Sequence, residues 1–126
     1  MSLKKNAIIL TSFLVLFFNA GADDNGSLLF QGNCATCHFE TKTVSAPSVI
    51  DIKQKYITAF AKKEDFVEYM SAWVHKPKEE TSIMLEAVNK HGLMPELGFD
   101  LDALRAISAY IYETDFSKKK NGSIRN

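Results

Sequence analysis

The sequence has few of the residues that constrain a fold covalently or locally. There are two cysteines, three prolines and one tryptophan among 126 residues. The two cysteines stand at positions 34 and 37, so no disulfide between distant segments can stabilise the chain. No convincing strand pattern is present, and a βαβ or all-β architecture is therefore not expected.

An excess of charge of one sign is also absent. The chain has 15 Lys and Arg residues against 15 Asp and Glu residues. Nucleic-acid-binding domains usually have a basic excess that matches the phosphate backbone. The balance therefore argues against a nucleic-acid partner.

Long apolar runs are absent too, because the longest, residues 7–18, has 12 residues and is interrupted by Thr11 and Ser12. Lys4 and Lys5 precede it, and the small residues Ala20, Gly21 and Ala22 follow it. A basic start, a short apolar run and an A-x-A site are typical of a secretory signal peptide. We expect cleavage after residue 22 and, in a bacterium, a periplasmic protein. An uncleaved membrane anchor is the alternative.

Cleavage would leave one domain, residues 23–116, followed by a flexible polar tail, residues 117–126. All 15 acids but only 13 of the bases lie after residue 22, which gives a net charge of −2. A domain of this size buries a moderate fraction of its surface, so a bound cofactor would add much to its core.

The most informative motif is Cys34-Ala35-Thr36-Cys37-His38, a C-x-x-C-H sequence typical of covalent haem c attachment. Two thiols add to the two vinyl groups of haem, and the adjacent imidazole reaches the iron. A structural zinc site is an alternative, but it needs a fourth ligand, which only His75 or His91 could supply. A dithiol oxidoreductase is another, but its motif normally adjoins a βαβ unit.

Apolar periodicity and capping residues predict four to five short helices. Tyr56 belongs to the apolar stripe of the second helix, and Trp73 to that of the third, which Pro77 ends. Asp100 is expected to cap the last helix. The predicted helices cover residues 24–33, 48–62, 64–76, 79–91 and 101–116.

Three further residues are candidate contacts to the haem. The carbonyl of Pro47 is the candidate acceptor for the second ring N–H of His38, because metal-bound histidines usually donate that proton. Tyr56, with Lys55, could reach the haem carboxylates. Trp73 either simply packs in the core or donates its indole N–H to a haem carboxylate.

The distal iron ligand opposite His38 is predicted to be Met94. Met94 lies in a loop between Gly92 and Pro95, where the thioether can be aimed inward. Met70 and Met84 lie on apolar helix faces, where methionine usually fills gaps. His75 and His91 occupy helix ends, where a surface histidine stabilises the dipole. Met84, His75 and His91 remain alternatives.

At several places the chain resembles the class I mono-haem c-type cytochromes. The resemblance rests on Gly26-x-x-x-Phe30-x-x-x-Cys34-x-x-Cys37-His38, Ala46-Pro47-Ser48-Val49-Ile50 with Lys55-Tyr56, residues 73–77, Gly92-Leu93-Met94-Pro95, and residues 104–111. It covers nearly all of residues 24–116. The departure is the segment between Pro77 and Met94, which is longer than usual by about one short helix.

The resemblance implies a small all-α fold around one covalent haem c, with the first and last helices crossing near Gly26 and Tyr110. It also implies an electron carrier rather than an enzyme. Such a protein is expected to be a monomer that exchanges electrons with periplasmic redox proteins, among them a membrane oxidase or reductase. The alternatives are a five-coordinate haem protein that binds a gas or peroxide, and a haem subunit of a larger redox complex.

Overall fold

A computed structural model describes residues 23–118 and contains helices and turns, with no strand in that range. The helices are α1 (Asp23–Asn33), α2 (Val49–Ala59), α3 (Lys63–His75), α4 (Leu85–His91) and α5 (Leu101–Glu113), with a short 3₁₀ turn (Glu79–Thr81) before α4. The expected all-α fold is confirmed for this part of the chain. None of these helices has the length and apolar character needed to cross a bilayer. The predicted signal peptide and residues 119–126 lie outside the described residues.

The last helix, α5, is the centre of the packing, since it contacts both α1 and α3. Asp100 caps its start by accepting a hydrogen bond from the backbone N–H of Ala103 at 2.8 Å. Leu104, Ile107 and Ile111 lie on one face of the helix and are buried. The core consists of apolar side chains from α1, α2, α3 and α5 together with Phe116, which follows α5: Phe30, Val49, Tyr56, Phe66, Met70, Leu104, Ile107, Tyr110, Ile111 and Phe116.

Helices α1 and α5 cross in direct contact at Gly26. A Cβ atom added there would lie 2.3 Å from the carbonyl oxygen of Ala106 and 3.0 Å from the Cβ of Tyr110. One turn further along α1, the ring of Phe30 lies 5.5 Å from that of Tyr110. Only glycine allows the two backbones to approach this closely.

Helices α3 and α5 meet through small polar residues. The buried side chain of Ser71 donates to the carbonyl of Val67 at 2.5 Å, and Ser108 donates to the carbonyl of Leu104 at 2.7 Å. The two hydroxyl oxygens are 3.3 Å apart. Each buried hydroxyl thus has a partner, and neither side chain holds the helices apart.

Two predicted helices end earlier than their periodicity suggested. The helix expected over residues 48–62 ends at Ala59, because the chain turns there and the ring of Phe60 stacks on that of Tyr69 at 4.5 Å. The helix expected over residues 101–116 ends at Glu113. A turn then brings Phe116 into the core, 5.9 Å from the ring of Phe30.

The helix predicted over residues 79–91 is wrong in its first half. The 3₁₀ turn ends at Thr81, and α4 begins only at Leu85. Between them, the side chain of Ser82 accepts a hydrogen bond from the backbone N–H of Met84 at 3.1 Å. Serine side chains compete in this way with the helical hydrogen bonds of the backbone.

The segment between α1 and α2 is a loop closed at its base. The backbone N–H of Val49 donates to the backbone carbonyl of Phe39 at 2.9 Å, and that of Ile50 donates to the backbone carbonyl of Glu40 at 3.1 Å. Ser48, which is buried, caps α2 by accepting from the backbone N–H of Asp51 and donating to its carboxylate at 2.7 Å. The loop is therefore closed where residues 49–50 meet residues 39–40.

Gly26→Ala is expected to lower the free energy of unfolding by about 1–3 kcal/mol, because the new methyl group would force α1 away from Ala106. Gly32→Ala is the matched control in the same helix, since nothing lies within 4 Å of its added Cβ. Gly32→Ala should raise the free energy of unfolding by about 0.5–1 kcal/mol, because alanine has the higher helix propensity. Urea unfolding followed by circular dichroism measures both changes, and equal effects of the two substitutions would contradict the close contact.

Ser48→Ala is expected to lower the free energy of unfolding by about 1–2 kcal/mol, because it removes a buried helix cap and the hydroxyl group that bonds to Asp51. Ser45→Ala, in an exposed part of the same loop, serves as the control and should change stability by less than about 0.5 kcal/mol. The same unfolding measurement applies. A Ser48 variant as stable as the Ser45 variant would show that the cap does not hold the loop.

Candidate cofactor site

A cavity of about 330 Å³ lies among the helices and is lined mainly by apolar side chains. This volume is within the range of small-molecule and cofactor sites. All seven predicted site residues lie on its wall: Cys34, Cys37, His38, Pro47, Tyr56, Trp73 and Met94. The fold thus brings together residues that are up to 60 positions apart in sequence.

The two thiols are presented by a helical turn that continues directly from α1. The carbonyl of Phe30 accepts hydrogen bonds from the backbone N–H groups of Cys34 and Ala35, at 2.8 and 3.1 Å. The carbonyl of Cys34 then accepts from the backbone N–H of His38 at 2.8 Å. Cys34 is half-buried and Cys37 is exposed. Burial, and secondly the neighbouring Cys37, raises the pKa of the Cys34 thiol.

The ring of His38 is oriented by the loop between α1 and α2. Its Nδ1 atom lies 2.8 Å from the carbonyl oxygen of Pro47, which is the acceptor that the sequence suggested. A carbonyl can only accept, so Nδ1 carries the proton. In the neutral ring, Nε2 then has a free lone pair, which is what a metal ligand requires.

Four further side chains with a metal-binding atom lie on the cavity wall: Met70, Met84, His91 and Met94. Met70 is 3% exposed and belongs to the core cluster. Met84 is half-buried just before α4, and its carbonyl accepts the first backbone hydrogen bonds of that helix. His75 is not on the wall, and its Nδ1 atom is 3.0 Å from the carbonyl oxygen of Phe99. The structure therefore separates His75 from the other candidate ligands.

Met94 belongs to a loop between two glycines that adopt the left-handed region. Gly92 ends α4 with φ 87°, and Gly98 has φ 74°. Side chains other than hydrogen disfavour these angles, so the two glycines allow the chain to reverse at each end of the loop. Met94 is half-buried, whereas Leu93 and Leu97 are exposed at 45% and 42% although they also line the cavity.

Tyr56 is 4% exposed and packs against Phe60, Phe66 and Tyr69. Burial, and secondly the neighbouring Tyr69, raises the pKa of the Tyr56 phenol well above its usual range. The hydroxyl has no hydrogen-bond partner within residues 23–118. Since no polar side-chain atom in that range is both buried and unpartnered, the Tyr56 hydroxyl keeps some exposure. A neutral phenol on the wall is a suitable donor for a carboxylate.

Trp73 also lies on the wall, but its indole N–H donates to the carbonyl of Lys78 at 3.0 Å. The indole has only this one donor. A hydrogen bond from Trp73 to a haem carboxylate, one of the two interpretations of the sequence, would therefore require this contact to break. The ring contributes apolar surface to the cavity instead.

The sequence patterns did not separate the cavity wall from the core. Ile52, Ile107 and Ile111 line the cavity, although their helical periodicity indicated only a buried face. A core residue and a wall residue have the same apolar signal on a helix, so nothing in the pattern could have distinguished them.

Within the described part of the chain, no group of three or more His, Cys, Asp or Glu side chains could hold a metal ion. The four-ligand zinc site is thus not assembled.

Comparisons with known proteins do not identify a family or a relative of this chain. No protein-family model matches the chain, and neither a curated protein nor a solved structure matches it significantly.

Proposed function

We propose that this protein is a monomeric electron carrier with one covalently attached haem c. The observation that carries the proposal is that Cys34, Cys37 and His38 border the same apolar cavity as Met94. The two thiols, an imidazole and a thioether are the protein groups that such a haem requires. An apolar wall is also the environment that a porphyrin ring requires.

The arrangement of the motif residues on one turn also supports the proposal. Cys34 and Cys37 are neighbours on one helical turn and are both free, so each thiol is available to form a thioether to a vinyl group. His38 follows on the same turn, with its proton on Nδ1 directed to Pro47. Its Nε2 atom would therefore be the proximal iron ligand.

Met94 would supply the distal ligand through its sulfur. The haem iron contributes a reversible change between ferric and ferrous states, which carries one electron. The protein sets how readily this change occurs through the ligand type and the burial of the site. A thioether opposite an imidazole raises the reduction potential relative to two imidazoles.

Tyr56 and Trp73 would shape the rest of the site. The neutral Tyr56 hydroxyl, which has no partner among the described residues, can donate to a haem carboxylate. Trp73, whose N–H is bonded to Lys78, packs its ring against the apolar cofactor. The two aromatic residues thus perform different tasks, one polar and one apolar.

Electrons would enter and leave where the site reaches the surface. Cys37, Leu93 and Leu97 line the cavity and are also exposed, so a partner can approach the haem edge there. Redox partners usually form small and short-lived interfaces. We assign the protein to the periplasm, with other periplasmic redox proteins or a membrane oxidase or reductase as partners, on the basis of its amino-terminal signal pattern.

A carrier is favoured over the five-coordinate alternative, which binds a gas or peroxide at an open iron position. The cavity wall holds Met84, His91 and Met94 in addition to His38. With so many donor atoms available, a sixth ligand from the protein is expected. No observation specifically favours a haem subunit of a larger complex.

Covalent attachment is tested by mass spectrometry of the purified protein, which should give the mass of the chain from Asp23 plus one haem. Cys34→Ala combined with Cys37→Ala should remove the pigment and leave a poorly folded chain, because the haem would occupy the centre of the core. Extraction of the pigment by acidified organic solvent would contradict the proposal. A zinc content near one per chain would contradict it as well.

Ligation by Met94 is tested in the oxidised protein, which should show the weak near-infrared band of a sulfur–iron bond. Met94→Ala should abolish the band. Met84→Ala is the matched control, because Met84 is also a half-buried methionine on the cavity wall. If the Met84 variant lost the band and the Met94 variant kept it, the distal ligand would be Met84.

A further inference from the structure

His91 lies on the cavity wall but is not one of the two iron ligands proposed above. It is the last residue of α4 and is half-buried. A histidine at a helix end can stabilise the dipole, and this is the ordinary explanation for such a residue. That role does not require contact with a cavity, and Lys90 already supplies a cation in the same turn.

The three histidines of the chain differ in how their rings are held. Nδ1 of His38 is bonded to Pro47, and Nδ1 of His75 lies 3.0 Å from the carbonyl of Phe99, away from the cavity. The ring of His91 has no hydrogen-bond partner in residues 23–118. Apart from His38, it is thus the one imidazole on the described wall, and both of its nitrogen atoms are uncommitted.

The chain between His91 and Met94 is suited to rearrangement. Only Gly92 and Leu93 separate the two residues. Gly92 lacks a side chain, and Leu93 is 45% exposed, so little buried surface opposes a change in their backbone angles. Met70 is less free because it is buried in the core, and Met84 is less free because it lies just before α4 and its carbonyl accepts the first backbone hydrogen bonds of that helix.

We infer that His91 is a reserve distal ligand, which binds the iron of the proposed haem when Met94 is removed or displaced. The inference rests on the proposed function. In the exchange, the iron–sulfur bond breaks and an iron–nitrogen bond forms through the lone pair of a neutral imidazole, with no electron transferred. Replacement of a thioether by an imidazole lowers the reduction potential, so the exchange would make the reduced protein a stronger electron donor.

The test uses electron paramagnetic resonance, absorption spectra and the midpoint potential of the haem-loaded protein. Met94→Ala should give a low-spin iron with two imidazole ligands and a potential below that of the wild type. Addition of His91→Ala to this variant should give high-spin iron. His75→Ala in the same background is the control and should leave the two-imidazole spectrum unchanged.

Because the three histidines of the chain are His38, His75 and His91, these variants decide which imidazole is the second ligand. High-spin iron in Met94→Ala, or a two-imidazole spectrum that survives His91→Ala, would overturn the inference. If Met94→Ala does not fold, Met94→Leu removes the sulfur while it keeps the side-chain volume, and it undergoes the same comparison. A wild-type protein without haem or without the sulfur–iron band would instead contradict the proposed function.

Discussion

The contact between Gly26 and the backbone of Ala106 determines where the rest of the structure can lie. It brings α1 against α5, and α5 also forms the interface with α3. One turn after Gly26, Phe30 enters the core, and its carbonyl accepts the hydrogen bond that begins the turn holding Cys34. The position of the thiols relative to the cavity is thus set by a helix crossing whose closest point is one residue without a side chain.

The two sides of the cavity are held by different means. On the side of His38, the chain is fixed by the Pro47 hydrogen bond, the buried Ser48 cap and the backbone bonds that close the loop. Elsewhere on the wall, the loop that carries Met94 lies between Gly92 and Gly98, both with positive φ, and Nδ1 of His75 lies near the carbonyl oxygen of Phe99 just after it. The part of the wall near His38 is thus held by several hydrogen bonds, whereas the Met94 loop is held mainly at its ends.

Much of this arrangement could be predicted from the sequence, and the failures have local causes. The cap by Asp100, the end of α4 at Gly92 and the bond between His38 and Pro47 follow from residue chemistry that acts over a few positions. The break at Ser82 and the turn that buries Phe116 do not, because they depend on a side-chain hydrogen bond and a distant aromatic cluster. Periodicity reports which face is apolar, but it does not report whether that face meets another helix or a cavity.

The apolar cavity bears on the stability of the fold as well as on the proposed function. The apolar side chains around this cavity of about 330 Å³ lack packing partners on the side that faces it, and a ligand that filled it would supply those contacts. The total stability of a domain of this size is about 5–15 kcal/mol. The chain has no long-range disulfide, and its described ion pairs are exposed and individually weak. We therefore expect the proposed haem, held by Cys34 and Cys37, to add to the free energy that keeps these helices together.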